Sequence, residues 1–309
     1  MFKSQIYLKR GYKNIKKNPQ KPINEVALPS FKQAMEVIYS NLGVRQWVNA
    51  KDNSIVGFVP TMGALHKGHL SLVEIAKKQS DKVVVSIFVN PTQFNNENDL
   101  KNYPINIEKD LELLQKLNVN MVFVPSSTEE IYHDEKAVVF EFDKIDKVME
   151  GTHREGHFKG VSRVVKLLFE LINPDMAFFG EKDYQQLLII KKMVEQFRLK
   201  TQVIGCETIR EKDGLAMSSR NTLLNSSQRK LAIEIYKTLK HCKNHFNINY
   251  RESLEKKCLA LLSNTLETEY FEIRNANNLS KKGGGHAKWR AFTASKVGQV
   301  RLIDNIALN

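Results

Sequence analysis

Cysteine is scarce and oddly counted: Cys206, Cys242 and Cys258 are the only three in 309 residues. Their spacing fits no metal-ligand pattern and an odd number argues against a disulfide framework, so the expected compartment is the reducing cytoplasm, with ordinary buried thiols. No run of about 18 apolar residues occurs, which excludes a membrane-spanning helix. Acid is missing from the start of the chain, where no Asp or Glu precedes Glu25 while seven Lys and Arg crowd residues 1–24. That segment takes more than half of the net +13 and leaves the rest at +6, a mild excess that also suits anionic small molecules. Polar, Lys-rich and closed by prolines, residues 1–24 read as a flexible basic extension, with a targeting peptide or anchoring arm as the alternative.

From Glu25 onward, short apolar runs alternate with helical periodicity, the pattern of an α/β fold. "SIVGFVP" and "KVVVSIFVNP" are nearly continuous in Val, Ile and Phe, as strands buried on both faces of a parallel sheet require. Between them, Leu72, Val73 and Ala76 share a helical face; Ile107, Leu111 and Leu114 mark a second helix, and "NMVFVPS" a third strand. "VSRVVKLLFELINP" carries the stripe Val161, Val164, Val165, Leu168 and Ile172 before Pro174 ends it, and "DMAFFG" is a fourth strand. A doubly wound, Rossmann-like parallel sheet over residues 25–208 follows, with ligands expected at the carboxyl ends of its strands. Residues 209–309 form a smaller α+β domain: a helix capped by Ser226 or Ser227, a second helix over "RESLEKKCLALLSNT", and strands at "EYFEIRNA" and "QVRLIDNIAL". The polar stretch 281–298 between those strands has no clear pattern, and "SKKGGGHAK" reads as a flexible connection.

Five stretches concentrate chemistry. In "FVPTMGALHKGHLSLV", His66 and His69 stand one turn apart where a strand gives way to a helix; with eight His and fifteen Gly, H-x-x-G-H is expected by chance about 0.01 times. A helix N-terminus offers free N–H groups to anions, and Gly63 and Gly68 let a bulky ligand approach. Imidazole N–H groups there suit the phosphoryl oxygens of a nucleotide; a zinc site lacks a third ligand at a useful spacing. "FFGEKDYQQL" supplies Gly180, Lys182, Asp183, Gln185 and Gln186, a point charge for phosphate beside groups for hydroxyls or a metal. "REKDGLAMSSRN" supplies Ser218, Ser219 and Arg220 on a mobile turn fit to close over a nucleotide. "VNPTQF" places Asn90 and Gln93 at a strand end, and "EGTHREGHFKGV" sets His153, Arg154 and His157 before a helix, as an anion-facing start or a capped loop.

Taken in order with "RLIDN", these stretches resemble the motif set of the pantothenate synthetases, the pantoate and β-alanine ligases. The resemblance implies a nucleotidyltransferase-type Rossmann domain, a C-terminal lid and a homodimer. It also implies ATP as co-substrate with Mg²⁺, and a pantoyl adenylate that β-alanine converts to pantothenate and AMP. By motif, Met62, Gly63, Ala64, Leu65, His66, Lys67, Gly68 and His69 would hold ATP, with Gly180, Glu181, Lys182, Asp183, Ile209, Met217, Ser218, Ser219 and Arg220. His69, His66, Lys182, Ser218, Ser219 and Arg220 would be catalytic, and Gln93 and Gln186 would contact pantoate and β-alanine. Where the family often shows several acids, Lys109 sits beside Asp110, leaving Asp110 as the metal-side carboxylate. The rivals are another adenylating enzyme, against which Gln93 and Gln186 discriminate, and a nucleic-acid-binding role for the basic arm, which is not expected.

Overall fold

In this computed structural model, residues 35–50, 52–132, 138–283 and 286–309 are described. The basic segment 1–24 lies outside them, as do residues 284–285 of the expected flexible connection. The apolar runs form a six-stranded, all-parallel sheet ordered β1-β4-β3-β2-β5-β6. Its strands are β1 (Glu36–Ile38), β2 (Val56–Thr61), β3 (Lys82–Ile87), β4 (Met121–Phe123), β5 (Met176–Gly180) and β6 (Gln202–Cys206). Ten helices punctuate the described chain: α1 (Asn41–Ala50), α2 (Lys67–Gln79), α3 (Glu97–Asn102), α4 (Ile107–Lys116), α5 (Glu129–Tyr132), α6 (Glu150–His153), α7 (His157–Ile172), α8 (Tyr184–Gln196), α9 (Ser226–Asn244) and α10 (Arg251–Ser263).

Alternation along each strand divides the core into two layers. Phe58 and Val84 face α1, α7 and α8, whereas Val59, Val83 and Val85 face α2 and α4. Helix α7 stops where Asn173 adopts a left-handed conformation, one residue before Pro174. Strand β6 and the β1–α1 pair carry no pattern distinct enough to be read from sequence.

The smaller antiparallel sheet runs β7-β8-β9, with β7 at Glu267–Asn275, β8 at Trp289–Val297 and β9 at Val300–Ala307. β8 falls in the stretch that showed no pattern, and it is the central strand. Both faces are covered: Trp289, Ala291 and Val297 pack with α9 and α10, while Phe292 and Ala294 pack with Met149, Phe158 and Ile189 of the larger half. Polar residues survive there because each has a partner: Thr293 donates to the Tyr270 carbonyl at 2.8 Å, and Ser295 meets the Thr268 hydroxyl at 3.1 Å. The α9 cap differs from expectation. Asn225, not Ser226 or Ser227, accepts the Gln228 N–H and donates its own N–H to the Gln228 side chain, a reciprocal box that a serine one residue later is out of register to make.

Candidate active site

Strand order reverses between β2 and β5, and a cleft opens at the carboxyl ends of the strands there. Thr61 ends β2 and Met62 follows it into the wall, Asn90 and Gln93 follow β3, Gly180 ends β5 with Lys182 and Asp183 after it, and Glu207 to Ile209 follow β6.

His66 is the N-cap of α2 and His69 its third residue, and the two cap each other's turn. His66 Nδ1 accepts the Gly68 N–H at 3.1 Å, and His69 Nδ1 accepts the His66 N–H at 3.4 Å. An Nδ1 that accepts must be unprotonated, so in each neutral ring the proton sits on Nε2. The rings lie 4.0 Å apart at 30°. Desolvation, with Lys182 nearby, lowers the His66 pKa to about 4; desolvation, then His66 and Lys182, lowers that of His69 to about 3. Both are therefore neutral donors at physiological pH.

The turn before them is held from behind. Gly63 has φ +66, and a Cβ there would meet Asp110 Oδ2 at 2.6 Å. Asp110 Oδ1 accepts the Leu65 N–H at 2.7 Å, and the Tyr103 hydroxyl donates to the Gly63 carbonyl at 2.8 Å. Asp110 is 1% exposed and its Oδ2 has no partner; desolvation raises its pKa to about 6. It stands beneath the turn and outside the cleft wall; Gly63, Ala64, Leu65, Lys67 and Glu181 are likewise not part of that wall.

Gln93 is set by buried Asn90, whose amide donates to Gln93 Oε1 at 3.3 Å and to the Gly160 carbonyl at 3.2 Å. Gly160 allows α7 to touch this turn, since a Cβ there would lie 2.4 Å from the Thr92 carbonyl. Arg154 and His157 donate to the Gln93 carbonyl at 3.3 and 2.9 Å, and both line the cleft. His153 instead lies 3.6 Å from the Glu269 carboxylate. Desolvation and the charge of Arg154 lower the His157 pKa to about 4.

The segment Met217–Arg220 closes the remaining side. The Ser219 hydroxyl donates to the Ala64 carbonyl at 2.9 Å, which ties the segment to the histidine turn. Arg220 forks onto Asp99 at 3.1 and 2.9 Å with its guanidinium over the Tyr103 ring, leaving Nη1 outside the fork. Lys182 lies 3.6 Å from Asp183, and Gln186 faces the same cleft. Gln185, by contrast, is buried in structural bonds to Glu150, Ile145 and Val148.

The wall thus gathers Met62, His66, Gly68, His69, Gln93, Gly180, Lys182, Asp183, Gln186, Ile209 and Met217 to Arg220. Sequence reasoning missed Tyr103, Asp99 and Glu207; the first two sit in "ENDLKNYP", whose polar helix start gives no signal of what it faces. Among the described residues, no three His, Cys, Asp or Glu cluster as a metal cage, and no helix is long and apolar enough to cross a membrane.

A family model described as pantoate-beta-alanine ligase matches residues 36–307. The chain is 45% identical to a pantothenate synthetase from Flavobacterium psychrophilum, over 84% of this chain and 93% of the relative. It is 48% identical to one from Christiangramia forsetii, with the same coverage. Among solved structures, a pantothenate synthetase from Thermus thermophilus aligns with a TM-score of 0.79 at 36% identity, covering 89% of this chain and 99% of that one. A pantoate-beta-alanine ligase from Francisella tularensis, complexed with beta-gamma ATP and beta-alanine, aligns with a TM-score of 0.75 at 37% identity, covering 89% and 98%.

Proposed function

The chain belongs to the pantoate–β-alanine ligase family, and from that premise we propose that it joins pantoate to β-alanine through a pantoyl adenylate. A pantoate carboxylate oxygen attacks the α-phosphorus of ATP and pyrophosphate leaves. The β-alanine amine then attacks the acyl carbon, forming the amide and releasing AMP. Neither step needs a protein nucleophile.

The observation that carries this reading is the reciprocal cap of His66 and His69, which leaves both Nε2–H groups free in a cleft that the rings line. Two neutral donors suit the α-phosphate, where charge grows as the P–O bond breaks, each worth about 3 kcal/mol by analogy with other preorganised donors. Proton transfer is not their task, because a carboxylate has no proton to lose. Lys182 and Arg220 would neutralise the phosphates and Ser218 would donate its hydroxyl to them, with Ser219 tying their segment to the histidine turn; Ile209 and Met217 would flank adenine, and Gln93 and Gln186 would orient pantoate and β-alanine. Holding the reactants in attack geometry supplies several kcal/mol more. Residues 209–309 would act as the lid over residues 25–208, excluding the water that hydrolyses an acyl adenylate.

Mg²⁺ fits this donor set as an ion carried by ATP, since it keeps several waters and leans on phosphate oxygens rather than on a protein cage. Asp183, on the cleft wall, is the carboxylate that would lean on it, whereas Asp110, expected from sequence as the metal-side carboxylate, is buried beneath the Gly63 turn and does not line the cleft. When bound, the ion neutralises the departing pyrophosphate. A cytoplasmic homodimer completes the proposal.

The test is product formation in steady state. AMP and the amide should accumulate together only when ATP, pantoate and β-alanine are all present; ADP formation, or turnover indifferent to pantoate, would count against the reading.

A further inference from the structure

The motif "RLIDN" has no role in the chemistry described so far, yet its last two residues, in β9, reach the site. Asn305 is 3% exposed, and its amide donates to two consecutive carbonyls, Glu181 at 2.8 Å and Lys182 at 2.7 Å. Its Oδ1 receives Arg290 Nη1, and Arg290 also holds the Glu181 carboxylate at 2.8 Å with its guanidinium 3.9 Å from the Tyr184 ring centroid.

The turn that receives these bonds has no side-chain cap of its own. Neither Gly180, which precedes the 3-10 turn Glu181–Asp183, nor Asp183, which precedes α8, makes a side-chain cap bond. With no side-chain cap bond of its own at either position, the junction takes side-chain support on its carbonyls from a residue more than 120 positions away. Asp304, next to Asn305 and also 3% exposed, grips Arg210 at 2.6 and 3.0 Å. Arg210 is the root of the segment that carries Ser218 to Arg220, bridged to Ala216. Adjacent residues of one strand therefore hold two cation-bearing segments of the cleft, those of Lys182 and Arg220.

We propose that Asn305 is a positioning residue for Lys182: its two amide hydrogens fix the Glu181–Lys182 peptides so that the ammonium meets the nucleotide phosphates. This rests on the nucleotide role proposed for Lys182. Displacement of a reacting contact by about 1 Å can cost on the order of 100-fold in rate, whereas a residue that only stabilised the sheet would leave the substrates' relative KM values unchanged.

A double-mutant cycle on the full chain tests it, with Asn305→Ala, Lys182→Ala and both together assayed for kcat and for KM toward ATP and pantoate, well below each melting midpoint. Asn305→Ala should lower kcat/KM for ATP by about 10- to 100-fold with the pantoate KM within about twofold, and should add less than about threefold to Lys182→Ala. Additive losses, or an equal rise in both KM values, would overturn the positioning role. If Lys182→Ala alone leaves kcat/KM for ATP intact, the nucleotide role of Lys182 fails, which is a separate result. Should Asn305→Ala unfold, Asn305→Ser is assayed in its place with the same expected non-additivity and the same overturning result.

Discussion

His66→Asn and His69→Gln should each lower kcat by about 100- to 1000-fold, the scale of losing one preorganised donor, while leaving the thermal midpoint close to that of the parent. The choice of residues separates catalysis from folding. Asparagine is a strong N-cap whose oxygen accepts the Gly68 N–H in place of His66 Nδ1, and glutamine at the third position restores the bond to the N-cap N–H. Both variants keep the helix start and lose the imidazole Nε2–H. Parallel loss of stability and rate would mean that the histidines matter only as caps. The acid side adds a second readout. Unfolded histidines protonate near 6.5, but in the fold His66 waits until about 4 and His69 until about 3. Between those values the unfolded chain binds more protons, so stability falls as pH drops below about 6.5. Asp110, raised to about 6, runs the other way and stabilises as pH falls from there toward its ordinary 3.8. Removing either histidine should therefore flatten the loss of stability in urea melts between about pH 6.5 and 4.

Arg301→Met should cost roughly 3–5 kcal/mol of stability, the range for leaving a buried charge without its partner. Glu150, 5% exposed, takes both Arg301 nitrogens at 2.7 and 2.8 Å, the Tyr270 hydroxyl at 2.8 Å and Arg154 at 3.4 Å. Arg301 also forks onto Glu269. Burial alone would push the Glu150 carboxyl up, but the Arg301 bonds and charge, with Arg154 and Tyr270, bring it down to about 2 from 4.5. A depressed carboxylate contributes stability that is present above 4.5 and lost as pH falls toward 2. In Arg301→Met burial prevails, so that acid-side loss should disappear. Adding Glu150→Gln removes the orphaned charge, and the double variant should be more stable than Arg301→Met alone. If chemical denaturation finds the double variant weaker, the cluster does not work as a charge pair.

The larger sheet was legible because strands covered on both faces must be nearly continuous in apolar residues, as Val83 to Val85 are. The helix stripe of α7 was legible for the same reason at a period of 3.6. β8 was not, because Thr293, Ser295 and Arg290 look solvent-facing until the partners that satisfy them are known, and those partners lie up to 109 residues away. The histidine turn was readable from spacing alone, since both ends of its interaction fall within four residues. What holds it was not: Tyr103 and Asp110 reach it across 40 and 45 residues. "RLIDN" could be recognised as a motif, but the targets of Asn305 and Arg301 are tertiary and leave no local trace.

In the proposed reaction a pantoate oxygen bonds directly to the α-phosphorus of ATP. Turnover of pantoate carrying heavy oxygen in both carboxylate positions, with product masses measured, tests it most directly. Each AMP should carry one heavy oxygen and the amide should retain the other. Unlabelled AMP, or label in inorganic phosphate with ADP as the nucleotide product, would contradict it.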